Sequence, residues 1–454
     1  MSSELIYEKK TVYEKAGKEI VDEAFAYAEG YKKYLDLGKT EREALCESVK
    51  MAEKFGFKEY KLGDAIKAGD KLYYNNRGKN LFVFSVGDEP INEGIRLTVA
   101  HIDAPRIDLK QCPLYDDGGM GFFKTHYYGG IRKYQWVATP LALHGVIATA
   151  DGQVINVNIG EEESDPLFYI NDLLPHLGQD QAKLPLSDGI KGEQLNVLVG
   201  SMPDSEENSI KLNVLKLLNE KYGIVEEDLL SAELCVVPAA KARDIGFDRA
   251  LIGAYGHDDR VCAYPILTAL LDTLDTKHTT MCVLADKEET GSDGPSGMQC
   301  ELILDIINEL AAALGGNPAI VRANSKCLSA DVSAAYDPNF PEVFEKRNTP
   351  ILSCGAVFTK FTGARGKSGT NDASAEYIGW LRSVLAKDSV VWQAGELGKV
   401  DQGGGGTVAK YISKHNIDTI DLGVPVISMH APYEVVSKVD VYETYRAVKA
   451  FYKY

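Results

Sequence analysis

The sequence predicts an α/β protein: a mixed, mainly parallel sheet sandwiched by helices and interrupted by an inserted β-rich domain. Two observations predict it. From about residue 233 to the C-terminus, strand-like apolar runs alternate with helical patterns, the signature of a parallel sheet covered by helices. Between about 110 and 230 that alternation stops, and the chain becomes rich in Gly, Tyr and short β-like runs. The expected organisation is therefore one domain built from residues 1–108 and 233–454, with residues 109–232 inserted as a second.

Residues 9–55 read as helical, because Val12, Ala16, Ile20, Ala24 and Tyr27 recur at helical spacing, and the Gly-Lys-Thr break at 38–40 starts a second helix. Strands follow at 80–86 (NLFVFSV) and 95–100 (IRLTVA). In the insert, WVATPLALHGVIAT, VINVNIG and LNVLVG read as strands, and residues 204–208 as a polar connection. The alternation then runs through AELCVVPAA, a helix at about 260–275, TTMCVLAD, a helix near 300–313, KCLSAD and ILSCGAVFTK. It continues through a helix at 373–385, VVWQAG, a helix after Gly406, VPVISMH and a final helix from about 440. No internal repeat is present.

The 454 residues, 45% hydrophobic and 25% charged, fit a globular protein of two or three domains. With 49 basic against 66 acidic residues the net charge is −17, which argues against sequence-independent nucleic-acid binding. No apolar run nears the ~18 residues of a membrane span, and the first residues form no apolar signal region. The eight cysteines are scattered without a C-x-x-C pair, so the expectation is free thiols, a cytoplasmic setting and no thiolate zinc cluster.

Ligands of α/β proteins gather at the carboxyl ends of strands. After IRLTVA come His101 and Asp103; before the helix at 260 come Asp258 and Asp259; after TTMCVLAD come Glu288 and Glu289. Asp331 follows KCLS, and His430 follows VPVIS. Residues two apart share a face of an extended chain, so Asp103 can accept the second N–H of His101 and fix its tautomer; a simple strand-end cap is the plainer alternative. Asp258 and Asp259 suit a helix N-cap, yet one cap needs one carboxylate, and the other can bridge cations. The two adjacent glutamates repel each other unless positive charge compensates, or unless they form a solvated turn. In a dinuclear site one ligates a metal while its neighbour takes a proton from water. Taken as a set, these side chains offer mixed N/O ligation suited to two divalent ions, zinc first, with cobalt or manganese as alternatives.

These segments also carry a resemblance. AHIDAPRIDL, the Asp258 and Asp259 pair, DKEETGSDG, LSADVSAAYDPNFPE and ISMHAPYEVVSKVDVYETY resemble, in order, the signatures of the aspartyl aminopeptidase family of dinuclear metallo-exopeptidases. The likeness runs from about residue 80 to the C-terminus, and NDLLPHLGQD around His176 resembles the Pro-His-Leu segment of that family's inserted dimerisation domain. The resemblance implies that His101, Asp258, Glu289, Asp331 and His430 are metal ligands with Asp258 bridging, that Glu288 is the general base, and that Asp103 supports His101. It implies a cis peptide between Asp258 and Asp259, and a His176 that reaches the active site of a partner subunit to hydrogen-bond the scissile carbonyl. Substrates would be peptides with a free N-terminus, and the assembly a homodimer built into a larger, dodecameric homo-oligomer. Two departures accompany the likeness: Asp259 stands where close relatives show Asn, and TKFTGARGKSGTND differs from the family's run there.

Acidic N-terminal residues are the substrates the family name implies, and the −17 field opposes them, so a local cation is required; Arg365 and Lys367 are the candidates. In the Gly-rich tract 403–406, Gly405 would let backbone approach the substrate. A nucleotide loop at Gly366-Lys367-Ser368 is excluded, because only Ala364 and Arg365 separate Gly363 from Gly366, where a P-loop needs four residues. The expected function is a metal-dependent aminopeptidase. The alternatives are a carboxypeptidase or deacylase of similar architecture, and a non-catalytic, metal-stabilised assembly protein, which would have no use for Glu288.

Overall fold

The computed structural model describes residues 5–454, which divide into two compact units. The first comprises the residues up to Asp103, Ala242–Met429 and Glu434–Tyr454; the second comprises Ala104–Lys241 and His430–Tyr433.

The first unit is built on a nine-stranded sheet. Its centre is four parallel strands in the order Thr279–Ala285, Ile95–His101, Lys326–Ser329 and Asp418–Gly423. The flanks mix parallel and antiparallel pairs, so the sheet is mixed and mainly parallel, the fold class expected. Both faces are covered, which is why Thr279–Ala285 (TTMCVLA) and Ile95–His101 are buried along their whole length. Leu97 and Val99 pack into one core with Ile303, Ile306 and Ile307 of the helix Leu302–Ala313. Ala100 and Ile102 face the other core, under the helices Lys18–Leu37, His257–Leu271 and Lys438–Lys453. A five-stranded sheet, Arg243–Ile245, Leu251–Ala254, Glu434–Ser437, Pro425–Ile427 and Ser333–Ala334, completes this unit.

The second unit is a seven-stranded, wholly antiparallel sheet in the order Val154–Ile159, Leu141–Ala148, Ala232–Pro238, Arg106–Asp117, Met120–Tyr128, Val197–Gly200 and Tyr169–Ile170. The AELCVVPAA run, expected to open the alternating part of the chain, pairs instead with Leu141–Ala148 and Arg106–Asp117 in this sheet. Residues 234–238 of this strand are all buried, and a strand with so little alternation reads like a parallel core strand. No helix among the described residues is long and apolar enough to cross a membrane.

Candidate metal centre

The parallel register places the candidate ligands level with one another. Ala285 is opposite His101 and Ser329 is opposite Val99, so the segments leaving the three central strands emerge at the same edge of the sheet. Thr279–Ala285 continues into a turn at Lys287, in the left-handed region at φ 71°, and then into Glu288–Thr290. The helix His257–Leu271 begins irregularly. Gly256, at φ 73°, supplies a backbone conformation that L side chains disfavour, and Asp258 and Asp259 are non-helical and joined by a cis peptide, as the resemblance implied. Neither aspartate caps the helix; the irregular start turns both toward His101.

Asp103 organises the centre. Its two carboxylate oxygens each accept a backbone N–H, Oδ1 from Glu288 and Oδ2 from Glu289, both at 3.2 Å. His101 Nδ1 lies 3.0 Å from the Asp103 carbonyl and 3.3 Å from Oδ1, so Nδ1 carries the hydrogen and Nε2 points to the other side. There Nε2 lies 3.1 Å from Asp258 Oδ1 and 4.0 Å from Glu288 Oε2. Burial works against a charged imidazole, but the hydrogen bonds to Asp103 and Asp258 outweigh it and hold the His101 pKa well above its usual value.

Two sets of donor atoms could each hold a metal ion: those of His101, Asp258 and Glu289, and those of His101, Asp259 and Asp331, the atoms of each set lying within 4.8 Å of one another. His101 is common to both. The donors are one imidazole and four carboxylates, a set that zinc, cobalt and manganese all accept. The Asp259 carboxylate accepts the His101 backbone N–H through Oδ2 at 3.3 Å, while its Oδ1 is buried with no hydrogen-bond partner among the described residues. Burial first, and the neighbouring carboxylates second, push Asp331 well above the ordinary carboxylate range; burial pushes Asp259 up likewise. Buried, mutually repelling carboxylates around one imidazole with an orphaned oxygen are what a cation would neutralise, so the residues fit the group.

His430 belongs to the second unit, where its Nδ1 donates to the Gly130 carbonyl at 2.8 Å; any metal would be met by Nε2. His176 lies in an exposed turn of that unit, between Leu174 and Leu177, which are 51% and 70% exposed. Arg365 and Lys367 line a cavity of about 150 Å³ with Glu396 and Lys399. Lys367 Nζ is paired with Asp372 Oδ2 at 3.0 Å and sits over the Phe361 ring at 3.9 Å. Gly405 donates its N–H to the Thr362 carbonyl at 2.8 Å.

Asp259, offered by the sequence only as one of two alternatives for the doublet, joins the donor set. Two further groups escaped sequence reasoning. Glu434, buried, accepts the Asp258 N–H at 3.1 Å. Asp421 is buried on a central strand, where burial pushes its carboxyl up to about 7 against the Thr407 and Ser329 hydroxyls, with the Glu288 charge adding to the rise.

A mixed, mainly parallel α/β sheet whose edge brings an oriented histidine together with clustered carboxylates is an arrangement suited to a metal-dependent hydrolase. Residues 34–452 match the family model described as aminopeptidase I zinc metalloprotease (M18). The chain is 48% identical to a probable M18 family aminopeptidase 1 of Clostridium acetobutylicum, over 99% of both chains. It superposes on the crystal structure of an M18 aminopeptidase from Thermotoga maritima with a TM-score of 0.94 at 41% identity, covering 99% of this chain and 100% of that one. The Saccharomyces cerevisiae mApe1 dodecamer, at 20% identity and a TM-score of 0.78, covering 94% of this chain and 96% of that one, shares the fold. The chain belongs to the M18 family of zinc aminopeptidases.

Proposed function

We propose that the chain removes single residues from peptides with a free N-terminus, with the help of two divalent ions, most simply zinc, that would be held by His101, Asp258, Glu289, Asp331 and His430. When bound, such ions polarise the scissile carbonyl and lower the pKa of the attacking water. Glu288 takes the proton of that water and returns it to the leaving amine. Asp103 fixes the His101 tautomer and, through the N–H groups of residues 288 and 289, the start of the turn that carries base and ligand together. That arrangement is the observation that carries the reading, because one carboxylate orients a ligand, a second ligand and the base. His176 of a second copy hydrogen-bonds the substrate carbonyl as charge develops on its oxygen. The dodecamer of the yeast relative and the exposed leucines beside His176 support a homo-oligomer. The eight cysteines are all free thiols, which suits a cytoplasmic setting. Acidic first residues are the substrate class the resemblance suggests.

The test is Glu288→Gln. Turnover of an aminoacyl p-nitroanilide should fall by about 10²–10⁴-fold while the metal content, measured by elemental analysis, stays that of the wild type. Retained turnover removes Glu288 as the base. Lost metal would make it a ligand instead.

A further inference from the structure

An acidic chain that recognises acidic groups needs a basic recess whose charge is not already used. The Arg365 and Lys367 cavity does not supply one cleanly. Lys367 is paired with Asp372, which also pairs with Lys360, and Glu396 lines the same cavity. The second unit offers a better candidate. Where the strand Met120–Tyr128 ends, residues 129–134 wall a recess of about 400 Å³ closed on the other side by Leu186 and Ser187. That size falls within the usual range of small-ligand pockets, roughly 300–1,000 Å³. Arg132 is exposed and Lys133 half-buried, and neither makes an ion pair among the described residues. The Arg132 guanidinium stands 5.3 Å from the centre of the Tyr134 ring, which steadies it at the rim. Tyr127 and Ser187 also line it.

The recess also touches the proposed chemistry within its own unit. Gly130, one of its walls, gives its carbonyl to His430 Nδ1 at 2.8 Å. A side chain at residue 130 would bring its Cβ to 3.3 Å from that nitrogen, so glycine permits the approach. The backbone that orients a proposed ligand therefore continues directly into Arg132 and Lys133.

We infer that this recess is a substrate subsite in which Arg132 and Lys133 bind a carboxylate of the peptide; the inference rests on the aminopeptidase reading above. The carboxylate has three sources: an acidic first side chain, an acidic second side chain, or the free C-terminus of a short peptide. Guanidinium and ammonium donors recognise all three by the same charge-assisted hydrogen bonds.

The experiment compares metal-loaded wild type with the double variant R132Q/K133Q on four tripeptides. Ala-Ala-Ala amide is the neutral reference; Glu-Ala-Ala amide, Ala-Glu-Ala amide and Ala-Ala-Ala free acid each add one carboxylate. In the wild type at least one acidic peptide should show a KM roughly tenfold below the reference, and in the double variant that preference should shrink to within about twofold. The kcat ratio should move less than the KM ratio, and R132K/K133R should restore most of the preference, which a merely structural role would not predict. The peptide that responds identifies the source. A wild type without preference, or a double variant that keeps it, overturns the subsite alone. A metal-loaded wild type that cleaves none of the four overturns the aminopeptidase reading and the subsite with it.

Discussion

Tyr31 and His257 show how a residue distant from the chemistry can hold it. Tyr31, fully buried on the helix Lys18–Leu37, donates its hydroxyl to His257 Nδ1 at 2.7 Å, while His257 Nε2 donates to the Ile252 carbonyl at 3.1 Å. Burial pushes the His257 pKa down to about 3, so the ring is neutral and both of its nitrogens are used. This pins the residue immediately before Asp258. Tyr31→Phe keeps the ring and removes the donor, leaving a buried acceptor unpaired, and should cost about 1–3 kcal/mol of unfolding free energy. Urea unfolding of metal-free protein measures it; a change below about 0.3 kcal/mol would mean water or relaxation replaces the bond. The pair was not legible in the sequence, because its members are 226 positions apart and Tyr31 reads as one more apolar position of an amphipathic helix. His101, Asp258, Glu289 and Asp331 could be singled out for the opposite reason: each follows a strand or opens a helix, at the sheet edge where ligands of α/β proteins gather. The sequence leaves Asp259 between two readings, helix cap or cation bridge, because a doublet at a helix start does not say which carboxylate does the capping.

At the scale of elements, the buried strands announced themselves as continuous apolar runs, and the helix Glu41–Lys54 announced itself by its start. Thr40 accepts the Glu43 N–H, and Glu43 Oε2 accepts the Thr40 N–H, a capping box readable as T-x-x-E. The two longest strands of the second unit, Arg106–Asp117 and Met120–Tyr128, escaped because solvent on one face lets them carry charged and polar residues. The turn between them carries a signal that was passed over with the strands: Gly118 and Gly119 both have positive φ, the Gly-Gly pattern of a tight hairpin. The helix Ile210–Tyr222 also escaped, although Ser209 caps it and Gly223 ends it at φ 73°. Asp204 organises the turn before that helix. It accepts N–H bonds from Glu206 and Glu207 and pairs with Lys216 at 2.7 Å. The Lys216 ammonium first, and those N–H groups next, hold its carboxyl down at about 2, against an ordinary 3.8. A carboxyl depressed in the folded state contributes stability that is fully present above its unfolded value and is lost as the pH falls through the folded one. Asp204→Asn should therefore be less stable than wild type at pH 6, and the gap should close as the pH drops below 3.8 toward 2. Unfolding midpoints in guanidinium across that range test it, and a gap independent of pH would assign the effect to geometry rather than charge.

At the scale of the whole molecule, the assembly and the chemistry make one joint prediction. If His176 serves the site of a neighbouring copy, then a chain lacking it still carries an intact Glu288, and a Glu288→Gln chain still carries an intact His176. Each variant assembled alone should be nearly inactive, for different reasons. In a mixed assembly, a working site needs its own glutamate and a histidine from its neighbour. With equal amounts and random pairing each condition is met half the time, so about a quarter of the sites should work. Co-expression of His176→Ala with Glu288→Gln, followed by purification of the mixed oligomer, should therefore recover about a quarter of wild-type turnover. A histidine acting within its own chain gives no recovery at any ratio. The same preparation tests the role of the exposed leucines: Leu177, at 70% exposure, replaced by Lys in both chains should weaken association and abolish the recovery together. Sedimentation velocity reads the first effect and the p-nitroanilide assay the second. Recovery that survives when the particles have become monomers would sever the link between assembly and catalysis.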